Sequence, residues 1–576
     1  CRWRRRAGGR RGGIMTGNCA RPIENVSQIA SMSHGEAGSS TRGEAYAEMF
    51  WAAAVARPDH PALAFPGTVL TYAELWDRAG WRSRQLRALG VGPGDTFGLM
   101  LPNSTVFVEF FLGAARLGAV PVPINTRYKT FEVAHLCRNG DLRALITTSQ
   151  AGAQLPLGRV LSEAIAGLQY ADPYGPLSME GFPQLRHVVM LGPTADAGML
   201  GEDELNRRAA EIPDSGPPLP SPDAPVMIMY TSGTTSMAKG CVFTNDALTA
   251  NAAGTAERFE MNLYDRCWSP LPMFHVGSLL IMSAIFSTGA TFISQEHFEA
   301  GEAVKLCAEQ RPTLLYPLFP TITLTLMHHT DFPTYDRRDI RAICNVSPPS
   351  TQAQVQETFD PAVLVNAYGM TEVCGTLSYS RLDESYESRM RSSGPKLPGW
   401  EAAIIDPESG ERVPPGTRGE LVARGRSLFS GYYKNPEQTA ASHDADGFFR
   451  TGDQCSMDED GIIYFHGRLR DVLKVGGESV SAPEVEAYLE AHPAVKLCQI
   501  VGIPDDRLIE VPVAFIELAP GAMLTEEEAV AYCQGAIASF KIPRHVRFVT
   551  EWPMSSTKIQ KFRLREQIMH EQGINR

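Results

Sequence analysis

The sequence predicts an α/β protein, with a large multi-subdomain N-terminal domain of parallel-sheet α/β layers and a β-rich subdomain, then a small α+β C-terminal domain. Three observations predict it. Short apolar runs alternate with amphipathic stretches through most of the chain, turn residues crowd between Ile404 and Gly425, and a separate helix, strand and helix pattern follows Gly467. Parallel strands need crossover helices and, buried on both faces, read as continuous apolar runs.

In chain order, Gly98 opens an apolar run (GLML), an amphipathic stretch covers Ser104 to Leu117, and a second run (AVPVPI) follows, which is a βαβ unit. Asp214 to Pro225 (DSGPPLPSPDAP) lacks periodicity and is rich in Pro and Ser, so it reads as a surface connection. Val226 to Tyr230 (VMIMY) reads as a buried strand. The longest uncharged stretch, Gly277 to Ile293, falls short of the roughly 20 residues a membrane span needs and reads as a buried helix entering a buried strand. No membrane anchor is expected. Thr313 to Met327, Ala342 to Asn345 and Leu364 to Ala367 extend the α/β design. The segment DPESGERVPPGTRGELVARG implies hairpins, and after Gly467 a helix over Ala482 to His492, a strand over Leu497 to Gly502 and a helix over Thr525 to Ser539 form the terminal unit. The expected division is 1–40 as a disordered or non-native extension, 41–467 as the large domain and 468–576 as the small one.

Composition excludes several classes. With 576 residues, 43% apolar and 20% charged, the chain is globular and long enough for roughly two to four folding units. A net charge of −12 argues against a nucleic-acid partner, because phosphate binding needs a basic face. Six arginines crowd the opening CRWRRRAGGRR, and residues 1–14 read as lying outside the functional protein, or as an Arg-rich, acid-free transit peptide. Eleven cysteines without a CxxC pair fit a reduced, cytoplasmic protein with no structural metal.

Four motifs carry chemistry. Tyr230 to Gly240 (YTSGTTSMAKG) follows a buried strand and brings hydroxyls, backbone N–H groups and a lysine into one small volume, which suits a polyphosphate or makes a polar surface turn. It fails the GxxxxGK[ST] spacing of a Walker loop. Asn366 to Glu372 (NAYGMTE) ends an apolar run, where open α/β sheets place ligands. Its tyrosine can stack on a base and its carboxylate can hold magnesium, or Thr371 and Glu372 simply open a helix. Phe449 to Asp453 (FRTGD), followed by Gly467 and Arg468, offers a carboxylate and an arginine for two ribose hydroxyls or for a structural ion pair. Lys558 to Arg565 (KIQKFRLR) is a solvated helix face or the site of a mobile lysine.

In order and spacing these motifs resemble the adenylate-forming superfamily of acyl-CoA synthetases, peptide-synthetase adenylation domains and luciferases, over about Tyr46 to Arg565. Within it SGTTS, LPMFH at Leu271 to His275, YGMTE and AHPAVKLCQIVGIPDD look like crotonobetaine/carnitine-type CoA ligases. The resemblance implies that Thr231, Ser232, Gly233, Thr234, Thr235 and Lys239 hold the ATP phosphates. Tyr368 and Gly369 would meet adenine, Thr371 the α-phosphate, Glu372 magnesium, and Asp453 and Arg468 the ribose. His275 would sit beside the carboxylate, with Val276, Gly277, Phe319, Asn345, Asn366 and Ala367 forming the acid pocket. The small domain becomes a mobile lid that turns about Arg470. In one pose it presents Lys558 for adenylation; in the other the segment Lys474 to Glu478 (KVGGE), with Lys474, Gly476 and Gly477, lines a channel for the pantetheine of coenzyme A. The expected reaction joins a carboxylic acid to CoA at the expense of ATP, with a carrier-protein thiol or an amine as alternative acceptor and a non-catalytic binding protein as the third class.

Three positions depart from the family pattern. Ser236 and Ala238 stand where many members have Gly and Pro. The terminal motif reads PMSSTKIQK, without a Gly before Lys558, which makes Lys561 an alternative to it. Cys344 to Ser350 (CNVSPPS) replaces a small Gly/Ala-rich turn near the acyl pocket.

Overall fold

The computed structural model describes residues 43–151, 155–216, 218–231, 237–347, 349–469, 472–553, 559 and 561–574. Two parallel sheets form the frame. The first runs, in spatial order, Val363–Val365, Ala342–Asn345, Leu314–Leu318, Arg266–Trp268, Thr291–Ile293 and Pro61–Phe65, all parallel, with Thr68–Thr71 closing the edge antiparallel. The second is wholly parallel: Val120–Pro123, Thr96–Leu99, Ala144–Thr148, His187–Leu191 and Leu200–Gly201. The predicted βαβ unit is present, since Thr96–Leu99 and Val120–Pro123 pair in parallel across the helix Thr105–Leu117.

Local chemistry starts and stops the crossing helices. Ser104 Oγ accepts the Phe107 amide at 3.1 Å and Gly118, at φ 76°, ends that helix in the left-handed region open to glycine. Thr71 and Glu74 form a reciprocal capping box at the start of Tyr72–Ala88. Val276–Thr288 is apolar almost all round and is buried, as a helix without a polar face must be. It leads through Gly289 into the buried strand Thr291–Ile293, as the uncharged stretch predicts. The largest apolar cluster joins both sheets through these helices, with Leu75, Phe107, Leu248 and Leu279 beside Phe97 and Phe292.

The turn-rich region is a four-stranded antiparallel sheet, Trp400–Ile405, Gly419–Gly425, Phe449–Met457 and Ile463–Arg468. Asp453 stands opposite Arg468 in its register, which places Arg468 on the large unit's sheet. The small unit holds the hairpin Val472–Val475 and Glu478–Ser481, the long pair Val495–Asp505 and Ile509–Leu518, and His545–Phe548 added in parallel. Its second helix is shorter than the periodicity predicts. It spans Glu526–Cys533, capped by Thr525, and ends before Gly535, which adopts φ 76°. Among the described residues no helix is long and apolar enough to cross a membrane.

Candidate active site

Four adjacent parallel strands of the first sheet deliver the residues expected to form the acid pocket at their carboxyl ends, the edge where open α/β sheets bind ligands. Arg266–Trp268 leads to His275, Leu314–Leu318 to Phe319, Ala342–Asn345 ends on Asn345, and Val363–Val365 precedes Asn366. Asn345 is fully buried; its amide oxygen accepts from Thr323 at 2.8 Å and its amide nitrogen donates to Ser347 at 2.7 Å. Asn366 donates to Ser392 O at 2.7 Å and accepts from the Ala367 amide. Leu318 carries φ 61° without being glycine, a strained residue directly before Phe319. Val276 opens the buried helix, and a Cβ on Gly277 would lie 3.6 Å from Leu318, so the glycine leaves room against this wall.

A second group surrounds Tyr368. The buried phenol donates to Asp453 Oδ2 at 2.7 Å, and its ring lies 5.8 Å from that of the exposed Phe465. The NAYGMTE turn thus meets the β-rich sheet, with Arg468 across the ladder from Asp453. Gly369 is required by close approach, because a Cβ there would lie 2.0 Å from Gly375 O.

The third group is polar and half-buried. Thr231 and Lys239 face each other in the hairpin that flanks the Ser/Thr/Gly loop. Lys239 Nζ lies 4.9 Å from the Tyr432 ring, and the Tyr432 hydroxyl donates to Glu372 Oε1 at 2.9 Å. Burial, with Glu372 adding to it, pushes the Tyr432 phenol up far beyond its usual range, so it stays a donor. Thr371 starts the short 3-10 turn Thr371–Val373 that carries Glu372. A half-buried carboxylate held by a phenol, near the hairpin that flanks the Ser/Thr/Gly loop, fits magnesium, which binds through one or two carboxylates and completes its shell with phosphates and water.

The small unit contributes the fourth group. Gly476 and Gly477 turn the hairpin at φ 58° and 88°, and a Cβ on Gly477 would meet the Phe319 ring at 3.2 Å. Glu478 then reaches the strand-end edge: His275 Nε2 lies 3.1 Å from its Oε2, and Arg127 lies 3.4 Å from its Oε1. Burial would raise the Glu478 carboxyl, but His275, Arg127 and Lys541 outweigh it and bring it down to about 2. Lys474 is exposed, with its backbone N–H on Glu510.

The structure therefore brings His275, Phe319, Gly477 and Glu478 to one place, Tyr368 and Asp453 to a second, and Lys239, Glu372 and Tyr432 to a third. Ser232, Gly233, Thr234, Thr235, Arg470 and Lys558 lie outside the described residues, and the side chain of Arg468 does too. Sequence reasoning missed Tyr432 and Arg127, which no motif signals. It placed Glu478 in the channel segment without its role against His275.

Two family models match. The one described as AMP-binding enzyme covers residues 50–433, and the one described as AMP-binding enzyme C-terminal domain covers 484–558. YngI of Bacillus subtilis (strain 168), named as an acyl-CoA synthetase, is 34% identical over 524 residues, 89% of this chain and 94% of that protein. The mitochondrial medium-chain acyl-CoA ligase ACSF2 of Rattus norvegicus is 31% identical over 87% of this chain and 83% of its own. Among solved structures, the amide bond synthetase McbA from Marinactinospora thermotolerans superposes with a TM-score of 0.77 at 25% identity, covering 91% of this chain and 99% of McbA.

Proposed function

The chain belongs to the AMP-binding enzyme family and is an AMP-forming acyl-CoA ligase, and from that premise we propose that it joins a carboxylic acid to coenzyme A in two half-reactions whose residues are divided between its two domains. In the first, the carboxylate attacks the α-phosphorus of ATP, forming an acyl-adenylate and expelling pyrophosphate. In the second, the CoA thiol attacks the acyl carbonyl, its proton is lost, and AMP departs.

Tyr368, Gly369 and Asp453, with Arg468, hold the adenosine. Thr231, Ser232, Gly233, Thr234, Thr235 and Lys239 hold the phosphates, and Thr371 meets the α-phosphate. Attack of one anion on another is opposed by charge, so fixed cations lower the barrier. Lys558 supplies one of these in the adenylating pose, reached by rotation about Arg470. Magnesium, held by Glu372, would neutralise charge on the transferring phosphate. His275 lies beside the reacting carboxylate, with Val276, Gly277, Phe319, Asn345, Asn366 and Ala367 lining the acid pocket.

The observation that carries the second half-reaction is the docked hairpin. The approach of Gly477 to Phe319 and of Glu478 to His275 supports a pantetheine channel formed by Lys474, Gly476 and Gly477. Gly477→Val forces a branched side chain into a left-handed backbone against an aromatic ring. Strain of about 1–3 kcal/mol lowers thioester formation from supplied acyl-adenylate about tenfold or more, with ATP–pyrophosphate exchange retained. Stopped-flow measurement of each half-reaction checks this.

Glu478 also sets a pH limit. Its carboxyl is held at about 2, below the ordinary 4.5, so the stability it adds to the docked pose is full above about pH 4.5 and is lost as the pH falls through about 2. The stability gap between the wild type and Glu478→Gln is expected to close as the pH falls from about 4.5 through about 2, as read by chemical denaturation across pH.

The acid is short to medium in length. The medium-chain ligase among the relatives supports this length. Betaine-type acids, indicated by strings shared with crotonobetaine and carnitine ligases, belong in the same panel. The nine described cysteines are all buried and unpaired, which suits the reducing cytoplasm; the mitochondrion, the compartment named for ACSF2, is the alternative. Carboxylate-dependent ATP–pyrophosphate exchange across such a panel, repeated with CoA while AMP is followed, tests the reading. A CoA-dependent product supports it. Adenylate consumed only by an amine or a carrier-protein thiol overturns the CoA assignment.

A further inference from the structure

The helix Thr130–Asn139 of the large domain presents Glu132 to the small domain, and its carboxylate is almost wholly buried there. Both oxygens are held. Oε2 accepts the Lys129 amide at 2.9 Å, which caps the helix, while Oε1 accepts the Ala538 amide at 3.0 Å and lies 3.5 Å from Lys541 Nζ. Lys541 is itself buried, lies 2.5 Å from Glu484 Oε1 and sits over the Tyr128 ring at 5.0 Å. Phe131 meets Tyr488 edge-on beside this cluster.

The three charges are unequally shared between the domains. Lys541 and Glu484 both belong to the small domain and keep each other if it turns away, whereas Glu132, Tyr128 and the Ala538 bond exist only in the docked pose. Two carboxylates face one ammonium, and Glu484 Oε2 has no hydrogen-bond partner among the described residues. A buried ion contact of this kind offsets much of its attraction by desolvation, so it fixes register while remaining breakable.

We propose that Glu132 is a positioning residue of the second half-reaction: it docks the small domain through Lys541 and the Ala538 amide, so that Glu478 and Gly477 reach His275 and Phe319. This rests on the two-step reading above. Glu132 touches none of the residues assigned to adenosine, phosphate or acid, so the first half-reaction does not depend on it.

Both half-reactions are measured on the full chain for the wild type, Glu132→Gln and Glu132→Asp. Glu132→Gln retains an oxygen for the helix cap and removes the charge facing Lys541. Its thioester formation from supplied acyl-adenylate falls about tenfold, the scale of one charge-assisted hydrogen bond, with ATP–pyrophosphate exchange within about twofold of wild type. Glu132→Asp, which keeps the charge on a shorter arm, recovers part of the loss. An equal fall in both half-reactions would mark a merely structural residue and overturn the proposal, as would an unchanged thioester rate in both variants. A wild type that exchanges pyrophosphate but forms no thioester with CoA would instead overturn the two-step reading, and this inference with it.

Discussion

Glu372→Gln lowers carboxylate-dependent ATP–pyrophosphate exchange by about 10²–10³-fold, the range seen when one fixed electrostatic group is removed from a reacting centre. The substitution keeps the shape of the side chain. Its carbonyl oxygen still accepts the Tyr432 hydroxyl, now 2.9 Å from Glu372 Oε1, and the backbone bond from Phe429 N to Glu372 O does not involve the side chain. Only the negative charge is lost, and with it the proposed partner for magnesium. The melting temperature therefore changes little while exchange collapses, and saturating magnesium restores only part of the rate. A variant with wild-type turnover removes Glu372 from the site.

Lys558→Ala is expected to slow adenylation on the same scale, about 10²–10³-fold, and to leave thioester formation from a supplied acyl-adenylate nearly intact. The contrast with Lys561→Ala makes this informative. Lys561 Nζ is engaged by Glu486 at 2.6 Å, at the start of the helix Lys561–Glu571. Losing that half-buried ion pair lowers stability by about 1 kcal/mol or more and leaves pyrophosphate exchange unaltered. Single-turnover measurement of each half-reaction in both variants separates the two lysines. If exchange falls only in Lys561→Ala, the adenylating lysine is Lys561 rather than Lys558.

The sequence was most legible where chemistry is local. Val226 to Tyr230, Ala342 to Asn345 and the uncharged stretch after Gly277 read correctly as buried elements, because the period of apolar residues follows from which faces meet water. Caps such as Ser104 and Thr525 work within a few residues of chain and are visible for the same reason. The helix expected over Thr525 to Ser539 stops at Cys533 because a glycine inside an apolar pattern can break a helix as well as be tolerated in one; the left-handed conformation at Gly535 is a property of the folded chain.

The order of motifs by itself determined the family and the chemistry, since the phosphate loop, the YGMTE turn and the FRTGD strand each carry their donors within a few residues. Only the tertiary structure decided what those donors meet. Tyr432 reaches Glu372 across 60 residues, Glu478 reaches His275 across 203, and Lys541 reaches Glu132 across 409. Nothing in the local pattern encodes such pairs: they follow from strand order in the first sheet, which sets four chain-distant segments side by side, and from how the small domain docks on the edge those segments form. The physical reason is one of range. Turn, cap and periodicity preferences act over one to a few turns of chain, whereas the fields that lower the Glu478 carboxyl and bury Lys541 between two acids arise only when separate elements exclude water together.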